Sequence, residues 1–291
     1  MNRLLLATIG TVFLAHLAVC QAQPRFEWAM GTFAGQQNVR VAMLVPVVIG
    51  QRRCHMQLDT GLPQAIAWHE YAGENDAKQI IKVHFADHHA MVDASSAVRE
   101  MISRCQPGEP IGSLGNAFFE HGTLSIDFKN QRISHQAGSI LQADLDADSF
   151  AYVKSEAGGA HVVIEVGLGK EKGQALLDTG STALDVGAFG AANWQRLTND
   201  APLQASDQVA VFEVHAWGEQ HRCFKAQSAK PLRMASKTID QPAITYCPTI
   251  GMASKPGLMG VVGMRPFADD LLVIDYPARL WRTTKSTSQA D

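Results

Sequence analysis

The stretch His55-Met56-Gln57-Leu58-Asp59-Thr60-Gly61 is answered later in the chain by Gln174-Ala175-Leu176-Leu177-Asp178-Thr179-Gly180. Average residue usage predicts fewer than about 0.1 Asp-Thr-Gly tripeptides in a chain of this length, so two point to internal duplication. The flanks repeat as well. Upstream lie two apolar runs, Val45-Pro46-Val47-Val48-Ile49-Gly50 and His161-Val162-Val163-Ile164-Glu165-Val166-Gly167-Leu168-Gly169. Gly50 and Gly169 each stand nine residues before their aspartate. An apolar run, a glycine-led turn and a second run read as a β-hairpin in each half.

Downstream, Leu114-Gly115-Asn116-Ala117-Phe118-Phe119 precedes Leu124-Ser125-Ile126-Asp127-Phe128. Its counterpart is Val261-Val262-Gly263-Met264-Arg265-Pro266-Phe267, followed by Leu272-Val273-Ile274-Asp275-Tyr276. From the Asp-Thr-Gly aspartate to the Ile-Asp aspartate is 68 residues in one half and 97 in the other. The extra residues of the second half are expected in loops around Cys223 and Cys247. A first strand is expected near Val39, and residues 189–197 read as a short helix. The class is mainly β, in two related lobes: residues 23–143, a polar connection over 144–160, and residues 161–291.

Composition narrows the function. A net charge of −3 over 291 residues offers no basic stripe, which argues against nucleic acid as a partner. With 46% hydrophobic and 18% charged residues the chain has the mix of a globular protein. Residues 1–22 begin with a charged tip at Arg3 and continue with an apolar run from Leu4 to Val19, the layout of an export signal. Cleavage after Cys20 or Ala22 gives a periplasmic or secreted protein. Leu17-Ala18-Val19-Cys20 also permits lipid attachment at Cys20, the one route by which a membrane would be a partner. Export leaves Cys54, Cys105, Cys223 and Cys247, an even number in an oxidising compartment. Of three pairings, Cys54–Cys105 and Cys223–Cys247 are preferred because each stays within one half. No C-x-x-C spacing suggests a metal.

Strand–Asp-Thr-Gly followed by apolar-apolar-Gly, twice and in order, resembles the lobe signature of the pepsin and retropepsin superfamily of aspartic peptidases. The resemblance spans residues 40–135 and 160–282. It implies a two-lobed, pepsin-like acid-protease fold with approximate two-fold symmetry. It also implies Asp59 and Asp178 as a catalytic pair that meets across the axis. Two carboxyls about 3 Å apart hold one proton between them, so one serves as base and the other as acid. The resemblance gives Thr60 and Thr179 a bracing role across the interface, and Gly61 and Gly180 tight turns whose N–H groups reach the carboxylates. Gly115 and Gly263 pack from beneath. The implied reaction is hydrolysis of a peptide or protein by one activated water, in a monomer, with no metal and no organic cofactor. A rival of another class is an exported binding protein that uses the groove between the lobes without cleaving.

Two departures stand out. The second motif continues with Ser181-Thr182, as in typical lobes, but the first continues with Leu62-Pro63-Gln64 and lacks the hydroxyl. Ionised Asp59 thereby loses a donor, and the activity optimum is expected to be less acidic than pepsin's. The covering hairpin of the first lobe should carry a tyrosine. Tyr71 comes only twelve residues after Asp59, and residues 79–93, better placed, hold His84, His88 and His89 instead. Residues 80–85 alternate as on a strand, so the spacing of His84 and His88 is not helical, and the histidines suit a solvated or substrate-facing loop rather than zinc. Asp127 and Asp275 are read as structural residues of outer strands, and the five tryptophans as packing.

Overall fold

The computed structural model describes residues 24–69, 78–142, 147–216, 219–250 and 257–287. Residues 1–22, Cys20 and Tyr71 lie outside them. The first half opens with β1 (Glu27–Phe33), β2 (Gln36–Ile49), β3 (Arg52–Leu58) and β4 (Ile66–Trp68). It continues with β5 (Gln79–Phe85), β6 (His88–Ala94), α1 (Ser96–Ser103), β7 (Pro110–Leu114) and α2 (Asn116–Phe119), and closes with β8 (Gly122–Asp127) and β9 (Arg132–Ala137). Next come β10 (Asp148–Lys154), β11 (Ala160–Leu168), β12 (Glu171–Leu177), β13 (Val186–Ala188) and α3 (Gly190–Thr198). The strands β14 (Val209–Ala216), β15 (Glu219–Gln227), β16 (Leu232–Met234), β17 (Lys237–Ile239) and β18 (Ala243–Tyr246) follow. The chain closes with β19 (Leu258–Val262), a 3-10 turn at Arg265–Phe267, β20 (Asp270–Asp275) and β21 (Leu280–Lys285).

The molecule is mainly β and two-lobed, and its strand pairing shows the duplication directly. β2 and β3 form a hairpin, as do β11 and β12. β3 then runs parallel to β7, with Leu58 beside Leu114, while β4 packs antiparallel on the other side of β7. The second half repeats this with Leu177 of β12 beside Val262 of β19, and β13 antiparallel to β19. A loop leaving β3 or β12 must therefore cross over the end of β7 or β19. That crossing holds each Asp-Thr-Gly.

Below the two lobes, β9, β8, β20, β21 and β10 form a shared floor. Its register is informative. Ser125 pairs with Val273, flanked by Leu124 with Ile274 and Ile126 with Leu272. Leu124-Ser125-Ile126 and Leu272-Val273-Ile274 occupy equivalent positions of the repeat, so each residue faces its neighbour's counterpart. This self-complementary pairing is the signature of a two-fold axis. Leu124, Ile126, Leu272 and Ile274 are all fully buried and join the halves into one core.

Several expectations change. The first strand is β1, well before Val39, with Phe26 and Trp28 packed against Phe128. Residues 148–154, within the expected connection, form β10, which pairs with both β11 and β21. The additional residues of the second half are strands β14 to β18 rather than loops, with β15 and β18 carrying them into the lobe's sheet. Asp127 and Asp275 stand on β8 and β20, the inner strands of the floor, rather than on outer ones.

Both are nonetheless structural. Asp275 accepts hydrogen bonds from Ser139 Oγ, from the N–H groups of Ile140 and Leu141, and from Ala278 N, at 2.7–3.0 Å. Burial opposes its ionisation, but these donors hold its carboxyl below the usual range and tie the exit of the first half to the second.

The hairpin of β5 and β6 also differs from a cover over the aspartates. Its turn points toward the floor: His88 packs on Phe118 of α2 and on His135 of β9, ring centroids 5.0 and 4.5 Å apart. His84 and His89 face each other across its two strands. Apolar Val83 and Phe85 are buried, whereas Ile80 and Met91 lie exposed on the opposite face. Cys54–Cys105 joins β3 to the segment after α1, and Cys223–Cys247 joins β15 to the residue following β18.

Candidate active site

Asp59 and Asp178 meet where the two crossing loops touch. The Asp59 N–H donates to Leu114 O at 2.9 Å, and the Asp178 N–H to Val262 O at 3.0 Å, so β7 and β19 fix the two loops alike. The threonines interlock behind the carboxylates. Thr60 N donates to Thr179 Oγ1 and Thr179 N to Thr60 Oγ1, both at 2.9 Å, while Thr60 Oγ1 donates to Leu177 O at 2.7 Å. Both threonines are fully buried. Four strands thus converge on a pair of hydroxyls, and either loop could move only by breaking bonds to the other.

The glycines let the loops come this close. A Cβ built on Gly61 would fall 2.8 Å from the Asp178 carboxyl, and one on Gly180 would fall 2.6 Å from Asp59 Oδ1. Any side chain at either position would push the pair apart. Gly115 and Gly263 serve from below, where a Cβ would collide with carbonyls of the loop in its own half.

The two carboxyls have unequal surroundings. Asp178 Oδ1 accepts from Gly180 N at 2.8 Å and from Gly61 N across the axis at 3.0 Å, and its Oδ2 accepts from Ser181 Oγ at 2.6 Å. Asp59 Oδ1 accepts from Leu62 N at 3.2 Å, and Leu62 supplies no hydroxyl. Burial first, then the charge and hydrogen bond of Asp178, push the Asp59 carboxyl well above the usual carboxylate range. The N–H groups of Leu62 and Gly61 only partly oppose this. As a residue Asp59 keeps some solvent access, but its carboxyl is packed against the other lobe. Such a pair holds one proton between its two carboxyls.

Two contributors escaped the sequence reading. Asn116, fully buried, donates from Nδ2 to Thr60 O at 2.6 Å and accepts from Tyr276 Oη at 2.9 Å, which links the first loop to the floor. Its position directly after Gly115 was the available signal. Asp185 accepts from Ala243 N and pairs with the Arg265 guanidinium, bracing the second loop from its side. The first half has apolar Ile66 at the equivalent place. His84, His88 and His89 lie on β5 and β6 and belong to the hairpin, not to this site. Among the described residues, no three His, Cys, Asp or Glu side chains are grouped to hold a metal ion.

No protein-family model and no curated protein matches the sequence. Among solved structures, the crystal structure of an aspartic proteinase from Irpex lacteus is similar over 85% of this chain and 95% of that chain, with a TM-score of 0.47 and 10% identity.

Proposed function

We propose that the chain is an aspartic endopeptidase that hydrolyses peptide bonds with one water activated between Asp59 and Asp178. The observation that carries this reading is the meeting of the two carboxyls across the axis, where burial and the neighbouring Asp178 push the Asp59 carboxyl well above the usual range. In the resting pair the proton sits on Asp59. Asp178, facing three donors, is the carboxylate that takes a proton from water as the oxygen attacks the scissile carbonyl carbon. Asp59 gives its proton to the developing oxyanion. The proton gained by Asp178 then passes to the leaving nitrogen as the C–N bond breaks, while a hydroxyl proton of the tetrahedral intermediate returns to Asp59 and restores the resting pair. Titration belongs to the pair, and the two oxygens exchange roles over a turnover.

Export, with lipid attachment at Cys20 as the alternative, fits two disulfides, one within each half. No helix among the described residues is long and apolar enough to cross a membrane. One chain contributes both aspartates, so a monomer is sufficient.

Hydrolysis of a mixed peptide library, followed by mass spectrometry with and without a statin-type transition-state mimic, tests the reading. Cleavage that the mimic blocks, and that disappears in Asp59→Asn and Asp178→Asn proteins that still unfold cooperatively, is the expected result. Cleavage surviving in both variants rejects the pair. Tight peptide binding without any cleavage favours a groove-binding protein instead.

A further inference from the structure

The face of the second lobe beside Asp178 is apolar, and it is covered by a residue from the other half. Val163, Leu176, Leu184, Phe189 and Val261 form a buried cluster separate from the main core. Phe33 at the tip of the β1–β2 hairpin packs against this cluster, and its ring meets Phe212 of β14 edge-on, centroids 5.1 Å apart. The hairpin turns at Ala34 and Gly35, both at positive φ, in the tight form that suits two paired strands. Its β2 strand is fastened to the second lobe where Thr182 Oγ1 donates to Arg40 O at 2.8 Å, one residue beyond Ser181. The arm therefore crosses from the first lobe beside the catalytic loops and ends on the second.

The repeat shows what this cover changes. Leu176 and Gln57 each stand two residues before their aspartate, Leu184 and Ala65 six residues after it, and Val261 and Ser113 two before the packing glycine. The first lobe thus presents small or polar groups at the places where the second is greasy. Gln57 turns its amide to Gly180 O at 3.4 Å. Leu176 lies about 7 Å along the strand from Asp178, the span of about two extended substrate residues.

We propose that Phe33 is a specificity-determining residue: seated on the apolar face next to Asp178, it takes the space a large substrate side chain would occupy, so that small side chains are preferred there. The inference rests on the peptidase reading and goes beyond it, since it assigns unequal subsites to the two sides of the cut. Phe33 is only half-buried, and with Leu258 it packs on the cluster from outside. Trimming it should open the site without dismantling the lobe.

Cleavage profiles of wild type, Phe33→Ala and Phe33→Leu on one peptide library test this. Phe33→Ala should raise kcat/KM at least about tenfold for peptides with Phe or Leu at one flanking position relative to Ala, with Phe33→Leu in between; hydrophobic-pocket selectivity commonly reaches this size. Binding of an anilinonaphthalene dye, read by fluorescence, should increase several-fold in Phe33→Ala independently of catalysis. Wild-type cleavage with unchanged profiles in the variants overturns the inference alone, as does unchanged dye binding. No cleavage by any of the three proteins overturns it together with the function it rests on. If Phe33→Ala does not fold, the Phe33→Leu profile decides.

Discussion

The two Asp-Thr-Gly loops share a path and differ in equipment. In the second, Ser181 Oγ, two glycine N–H groups and the Asp185–Arg265 pair surround or brace the aspartate. In the first, Leu62 lends only its backbone, and a buried amide, Asn116, braces the loop from below. Duplication supplied the geometry twice, and divergence then gave the two carboxyls unequal donors, with Asp59 pushed well above the usual carboxylate range. A symmetric pair would have no reason to place its proton on one side.

The comparison can be broken most severely at the aspartates. Asp59→Asn and Asp178→Asn should each lower kcat by roughly 10²–10⁴-fold or more, the scale of acid–base contributions. Their effects on stability should differ. Because Asp59 titrates above its unfolded value, the native state binds more protons over that interval, and stability falls as pH rises through it. Asp59→Asn should therefore melt higher than wild type at neutral pH, with the advantage gone below about pH 4, near the ordinary carboxylate range. An Asp59→Asn protein no more stable than wild type at neutral pH would break the asymmetry.

The disulfides come next. Opening Cys54–Cys105, which closes a separation of 51 residues, should cost about 4 kcal/mol on the loop-entropy scale. Opening Cys223–Cys247, with a separation of 24, should cost about 3.5 kcal/mol. Denaturant unfolding of the paired serine variants measures both. Asn116→Ala should destabilise by about 1–3 kcal/mol, since it strands Thr60 O and Tyr276 Oη in the interior, and chemical denaturation reads this too. No loss at all would mean the floor does not brace the first loop.

The smallest expected effects sharpen the contrast. Ser181→Ala removes a charge-assisted donor and should move the acid limb of the kcat/KM profile upward. Leu62→Ser, by supplying the missing hydroxyl to Asp59, should instead move the basic limb downward, where the proton held by Asp59 is lost. Far from the site, burial and neighbouring His88 lower His135 to about 4. Between the usual histidine value and that point the unfolded chain binds more protons, so stability drops as pH falls from about 6.5 to about 4. A His135→Phe protein should show a flatter melting-temperature profile across that window.

The duplicated Asp-Thr-Gly, the hairpins before it and the glycine after it were legible because each is local and carries a strict residue requirement. The floor was half legible: Ile-Asp-aromatic repeats, but its strands pair with each other, which no single segment can declare. In Glu27-Trp28-Ala29-Met30-Gly31-Thr32-Phe33 the strand-favouring Trp28, Thr32 and Phe33 are interrupted by Ala29 and Gly31, and partnership with β2 completes the strand. The hairpin of β5 and β6 was recognisable, but its direction depends on His88 and Phe85 finding α2 and the floor. Asn116 looked like an ordinary residue after a glycine. Its role exists only once Thr60 and Tyr276 converge on it from either side.

The register of β8 against β20 has a consequence for the first half on its own. Detached from its sequel, it would expose the edge of β8, a row of unpaired amides bordered by Leu124 and Ile126. Since that edge normally meets a near copy of itself running the other way, two detached halves could zip together along it. A half-length chain therefore carries the template for its own dimer.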